Sequence, residues 1–193
     1  MAKLTETFYQ DSDVVQISQK LLGKFLMTYI NGHITGGIIT ETEAYAGTGD
    51  KASHAYGGRR TKRNEIMYYK GGVAYVYLCY GIHHLFNVVT NKEGVPHAVL
   101  IRAIQPMEGI DLILKRRGMN RNSKKAVANG PGTLSRALGI NSGDNGSSLS
   151  GDRIWIEDRE IEVPTATIIA GPRIGVDYAA EDTGLPYRFR INI

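Results

Sequence analysis

Short runs of β-branched, aliphatic and aromatic residues separated by Gly, Asn and Asp make up most of this chain, and only three stretches repeat apolar residues at helical spacing. The first is residues 12–22, where Val14, Val15, Ile17, Leu21 and Leu22 share a face, Asp11, Ser12 and Asp13 offer N-caps, and Gly23 supplies the stop. Residues 24–30 and 33–45 flank Asn31-Gly32, a dipeptide suited to the positive φ angles of a tight hairpin turn, and are expected to pair as strands. Further strands are expected at 73–80, 84–90 and 97–104, and later at 154–157, 167–170 and 187–191. A second helix is expected to open at Pro106, because proline, Glu108 and Asp111 precede its apolar residues while Lys115, Arg116, Arg117 and Gly118 follow them. The third opens at Gly130-Pro131-Gly132-Thr133 and stops near Gly139, and its N-terminus would offer free N–H groups to a phosphate. Residues 46–72 lack periodicity and are rich in Gly, Arg, Lys and Asn, the composition of a long loop that carries function. Residues 141–152 read as a surface loop within the same domain, so residues 1–193 are expected to form one domain with a single core.

One strand stands apart. In Tyr75-Val76-Tyr77-Leu78-Cys79-Tyr80-Gly81, alternation puts Tyr75, Tyr77 and Cys79 on one face, and Tyr80 breaks that parity at the turn. Such a surface suits nucleobases, since every base offers a π-face and stacking contributes roughly 1–3 kcal/mol per base. The charge points the same way: 23 Lys and Arg against 19 Asp and Glu give a net +4, and the cations cluster. Arg59, Arg60, Lys62 and Arg63 fall within five positions, and residues 115–129 hold six cations and no acid, patches that attract phosphates. A solvated basic loop is the alternative for such clusters. The single cysteine, Cys79, excludes an internal disulfide and any Cys-rich zinc pattern, and its apolar strand suggests a small buried hydrophobe. No apolar signal core or membrane-length run is seen, so a cytoplasmic protein, associated with the nucleoid through DNA, is expected.

In Glu41-Thr42-Glu43-Ala44-Tyr45 the two acids and Tyr45 share a strand face, which offers a general base beside a stacking wall or, alternatively, an exposed strand edge. His54 lies in the long loop, and His83 and His84 follow the tyrosine strand. Adjacent histidines on a strand point to opposite faces, so no metal site is expected.

Taken in order, Glu41-Thr42-Glu43-Ala44-Tyr45, His54, Gly57-Gly58-Arg59, Arg63-Asn64, Tyr75-Val76-Tyr77, Tyr80-Gly81, Asn87, Leu100-Ile101-Arg102-Ala103, Gly130-Pro131 and Pro172-Arg173-Ile174-Gly175-Val176 closely resemble the alkyladenine (3-methyladenine) DNA glycosylase family, in a bacterial form. The resemblance implies a mixed α/β fold: one compact domain with a curved antiparallel sheet, flanking helices and a hairpin, here residues 75–90, that enters the minor groove. It implies hydrolytic removal of damaged purines, of the 3-methyladenine, hypoxanthine and ethenoadenine class, from duplex DNA by a monomer without a cofactor. The nucleotide must be flipped out, because its reacting carbon is buried in the stack.

By the same resemblance Glu43 is the general base for an attacking water, Arg102 positions water and carboxylate, and the carbonyl of Ile174 is a further ligand. Arg102 as a structural ion-pair partner of Glu43 is the alternative. Tyr45 and Tyr77 would sandwich the flipped base, His54 would add wall and a hydrogen bond, and Asn87 would crowd the 2-amino group of guanine. Aromatic faces would favour a cationic alkylated purine. Tyr80 would fill the hole in the stack, and Arg59, Arg60, Lys62 and Arg63 would contact DNA. Two competing readings are a non-catalytic binder of single strands and a lyase that attacks through a lysine; Lys51, Lys62 and Lys70 all lie in the basic loop, where a phosphate role is more natural.

Overall fold

Asn31 and Gly32 adopt φ of 55° and 78°, the two left-handed conformations that a type I′ turn needs. They fold Phe25–Ile30 (β2) onto His33–Tyr45 (β3), paired from Ile30↔His33 to Phe25↔Ile38. In the computed structural model, which describes residues 2–122 and 127–192, the sheet grows from this hairpin in both directions. On one side β3 pairs with His97–Glu108 (β6), β6 with His83–Thr90 (β5), and β5 with Ala74–Cys79 (β4). On the other, β2 pairs with Ile154–Asp158 (β7) and β7 with Ala2–Lys3 (β1). All pairs are antiparallel, and the order β1-β7-β2-β3-β6-β5-β4 makes one curled sheet. At 13 residues β3 is long enough to take a second neighbour beyond the end of β2: Arg188–Arg190 (β9) pairs with Glu41 to Glu43, and Ile169–Gly171 (β8) pairs with β9. The chain's last strand is thereby brought beside the Glu-Thr-Glu segment.

Four helices flank the sheet: Glu6–Tyr9 (α1), Val14–Lys20 (α2), Ile110–Arg117 (α3) and Pro131–Leu138 (α4). Asp13 caps α2, its side chain accepting from the Gln16 N–H at 2.9 Å. Ile17 from α2 and Leu21 at its C-cap, Leu134 and Leu138 from α4, and Leu26, Ile39, Phe86 and Ile101 from the sheet are buried in one shared core, so the domain is single and compact. Two of the basic residues of α3 are used in this packing, while Lys115 is exposed: Arg116 donates to the Thr35 hydroxyl and the Ala137 carbonyl, and Arg117 to the Val127 carbonyl. Arg121 pairs with Asp111, and the expected phosphate contacts of Lys124 and Lys125 lie outside the described residues.

The helix expected from Pro106 begins later. β6 runs on to Glu108, and α3 starts after Gly109, whose φ is 65°. The pairing steps from Gly36↔Glu108 to Gly37↔Pro106, leaving Met107 as the extra residue of a bulge, a position where proline's missing N–H is tolerated. Here β3 and β6 nearly touch: a Cβ on Gly37 would lie 2.2 Å from the Gln105 carbonyl oxygen. Gly37→Ala is expected to destabilise the fold by about 2 kcal/mol or more, read as a lower midpoint in a urea melt. The short elements β1 and α1 carry no sequence signal of their own, and the expected strand at 167–170 is a 3-10 turn, Thr165–Thr167, followed by β8. The loop at 46–72 is ordered by three 3-10 turns, Gly47–Gly49, Tyr56–Gly58 and Glu65–Tyr68.

Candidate active site

The inner face of the curled sheet opens into a cavity of about 730 Å³. Tyr75, Tyr77 and Cys79 from β4 line it together, as alternation predicts, with Leu85 and Asn87 from β5, Leu100 and Arg102 from β6, and Tyr45 from the end of β3. Cys79 is only partly buried and faces this cavity, which corrects the expectation of a core position. The N-terminus of α4, Gly130 to Thr133, forms part of the rim; a Cβ at Gly132 would meet the His83 ring at 2.8 Å, so glycine lets the helix approach the hairpin.

Glu43 is wholly buried, 0% exposed, directly behind the lining residues Tyr45, Arg102 and Ile174, so the exposed strand edge is excluded. One carboxylate oxygen accepts the Ile174 N–H at 2.8 Å and faces Arg102 Nη1 at 3.3 Å; the other accepts the Tyr45 hydroxyl at 2.9 Å. Burial raises its pKa above the ordinary carboxylate range, and Arg102, the Ile174 N–H and Tyr45 only partly offset that. Arg102 sits on a second bulge: the pairing steps from Glu41↔Ala103 to Thr42↔Ile101, and the skipped residue turns its side chain toward the acids. Its carbonyl accepts the Gly130 N–H, and its Nε donates to Glu41 at 3.0 Å. Glu41 also holds Arg188 at 2.8 Å, so acids and arginines alternate across three strands.

His54 is brought to the wall by the long loop. Its Nδ1 and the Tyr75 hydroxyl are hydrogen-bonded at 2.8 Å, and its ring meets Tyr77 edge-on at 4.7 Å. Burial, with Arg63 and Arg59 nearby, lowers its pKa to about 4, which makes it a neutral imidazole near pH 7. Asn64, fully enclosed, holds the loop by donating to the carbonyls of His54 and Arg59. Asn87 is buried, with its amide donating to the Tyr75 carbonyl at 3.1 Å.

Tyr80 stands at the hairpin tip, 90% exposed, with a φ of 51° that a residue with a side chain rarely adopts. Arg63 extends over Tyr77, its guanidinium 5.4 Å from the ring. Arg60 is engaged by Glu65 through its Nε and Nη2 and lies over Tyr68, whereas Arg59 and Lys62 are exposed. Sequence reasoning missed three residues here. Tyr178, two-thirds exposed at the cavity mouth, donates its hydroxyl to the Ala52 carbonyl, and the buried pair Asp50 and Arg173 lies behind Tyr45. Asp50 has no local signal; Arg173 stood inside a recognised run without a role.

The sequence model of the methylpurine-DNA glycosylase (MPG) family matches residues 7–193. The chain belongs to this family of DNA glycosylases. A protein of Chlamydia felis is 48% identical over 190 residues, covering 98% of this chain and 96% of the relative, and one of Bacillus thuringiensis is 47% identical, covering 95% and 92%. Each carries the name "Putative 3-methyladenine DNA glycosylase". Membership agrees with the fold expected from the motifs, and no helix among the described residues is long and apolar enough to cross a membrane.

Proposed function

We propose that this protein acts as a monomer on duplex DNA, draws a damaged purine nucleotide into the cavity and hydrolyses its N-glycosidic bond. The observation that carries this reading is a buried carboxylate with a raised pKa, held by three residues that line a tyrosine-rich cavity, Tyr45, Arg102 and Ile174, with an exposed tyrosine at the tip of the adjoining hairpin. Glu43 takes a proton from water as the water oxygen bonds to the anomeric carbon; the C–N bond breaks with its electron pair leaving on the base, and an abasic site remains. The carboxylate also stabilises positive charge that develops on the sugar. Arg102 and the Ile174 N–H hold the carboxylate, and the Ile174 carbonyl is the proposed further ligand of the water. Tyr45 and Tyr77 stack on the flipped base, neutral His54 hydrogen-bonds to it, and Asn87, locked by its own amide, crowds the 2-amino group of guanine. Tyr80 fills the vacated stack. Arg59, Lys62 and Arg63 face phosphate, while Arg60 would have to leave Glu65 to do so.

The relatives' names support 3-methyladenine as a substrate, and we include hypoxanthine and ethenoadenine in the class. Incubation with methylated duplex DNA is expected to release free 3-methyladenine and leave abasic sites, detected by chromatography of the released bases. Borohydride added during turnover is expected to trap no protein–DNA adduct, because water leaves no imine to reduce. An adduct lost on mutating one lysine would replace the hydrolytic mechanism with a lyase; tight binding of undamaged single strands without base release would replace the enzyme with a binder.

A further inference from the structure

Two of the groups that hold Glu43 trace back to one buried ion pair, and the inference drawn from it rests on the role proposed for Glu43. Arg173 and Asp50 are almost wholly enclosed and meet through two contacts, Nη1 to Oδ2 at 2.5 Å and Nη2 to Oδ1 at 2.8 Å. Arg173 directly precedes Ile174, whose N–H reaches one oxygen of Glu43. Its Nη1 also donates at 2.8 Å to the carbonyl of Ala44, the residue between Glu43 and Tyr45. The guanidinium lies 4.9 Å from the Tyr45 ring and 5.3 Å from that of Tyr187. Asp50 accepts the Ala46 N–H at 2.9 Å and the Ala52 N–H at 3.0 Å, so it also fixes the start of the loop that carries His54. The end of β3, the start of the loop that follows it and the distant Arg173–Ile174 segment therefore meet at one planar fork. A buried pair is a weak device for stability, since apolar residues of the same volume often serve as well. A fork that sets direction is a better account of its presence here.

We propose that Asp50 and Arg173 are a positioning pair for base excision: they hold the Ile174 N–H and the Tyr45 hydroxyl on the two oxygens of Glu43 and balance the charge beside it. The groups that face Glu43 are Glu41 and Tyr45 on its own strand, Arg102 on β6, Arg188 on β9 through Glu41, and Arg173 with Tyr178 on the segment before β9. Asp50→Asn leaves the Arg173 charge uncompensated. That favours ionised Glu43, so the acid limb of the excision profile moves to lower pH. Arg173→Lys keeps a cation but cannot form the fork, so it lowers the rate and leaves the limb in place.

The test is single-turnover excision of 3-methyladenine from duplex DNA across pH for wild type and both variants, beside thermal melts and lesion-duplex anisotropy. Expected are rates about 10- to 100-fold below wild type with lesion binding retained, and an acid limb displaced downward in Asp50→Asn alone. Wild-type rates in the folded variants, loss of binding in proportion to loss of rate, or failure of both variants to fold would reduce the pair to a structural one and overturn the proposal. Should only one variant fold, its rate, binding and pH profile decide. A wild-type protein that releases no base would instead overturn the reading of Glu43 itself.

Discussion

Replacing Glu43 with glutamine is expected to lower single-turnover excision by about 10²-fold or more, to leave binding of lesion-containing duplex in place, and to raise the melting temperature near pH 7. The first effect follows from chemistry, since glutamine has the shape of glutamate and accepts the Ile174 N–H but takes no proton from water. The third follows from linkage. Burial raises the carboxyl pKa in the folded protein above its unfolded value, so the ionised form is disfavoured by folding and stability falls as pH climbs through the interval between the two. Glutamine removes that penalty, so the variant's gain in melting temperature should shrink on acidification, as wild-type Glu43 becomes protonated. Excision and stability thus move in opposite directions, as expected of a residue strained for function. The same raised value predicts that wild-type excision declines as pH falls through it. Glu41→Gln retains an acceptor for Arg102 and Arg188 and keeps the Glu43 carboxylate with its donors, removing only the weakest of the charges that act on it, so a smaller loss is expected. Equal losses in the two variants would assign the effect to the charge network and not to Glu43. A stopped-flow assay on a duplex with one lesion, with a melt at several pH values, reads all of these outcomes.

The parts of this architecture that were legible in the sequence are those decided by neighbours along the chain. Asn31-Gly32 announces a hairpin because its two residues carry the required φ angles themselves, and the shared parity of Tyr75, Tyr77 and Cys79 survives into the cavity wall because strand alternation is local. Pro106 misleads for a complementary reason. Proline with following acids is a sound local signal for a helix start, but the bulge that accommodates it is created by β3, some 70 positions earlier in the chain. The site divides in the same way. Glu43 and Tyr45 stand two residues apart on one strand and are readable as a pair, and the resemblance to a family supplied their roles. What encloses Glu43 was named through the resemblance alone, since spacing could not show it: Arg102 reaches it from a bulge, and Ile174, expected to act through its carbonyl, offers its N–H from 131 positions away. Asp50 and Arg173, 123 positions apart, show no periodicity, and only the folded chain reveals that a loop aspartate and an arginine of the segment after β8 close around Tyr45.

Tyr80→Ala is expected to weaken the flipped complex by about tenfold or more, because the ring forfeits a stacking contribution of roughly 1–3 kcal/mol. The geometry separates this residue from bond cleavage. Tyr80 projects from the tip of the β4–β5 hairpin, whereas Glu43 is buried behind the cavity lining, so the substitution leaves the carboxylate and its three donors as they are. Its left-handed backbone at 51° points to the same division of labour: a strained conformation persists where the surrounding structure over-determines it, and here it lifts a large apolar ring out into solvent. The loss should be greatest for a well-paired lesion such as hypoxanthine and least for a base already unpaired, since an unpaired base needs less work to leave the stack. Alanine itself relieves none of the backbone strain, so the fold and its melting temperature should change little. Fluorescence of 2-aminopurine beside the lesion reads flipping directly, in parallel with single-turnover excision. A flipping signal unchanged in Tyr80→Ala would leave this tyrosine as a surface residue of the sheet, and the wedge would then have to be sought among its exposed neighbours Leu78 and Ile82 on the same hairpin or in Tyr178 across the cavity mouth.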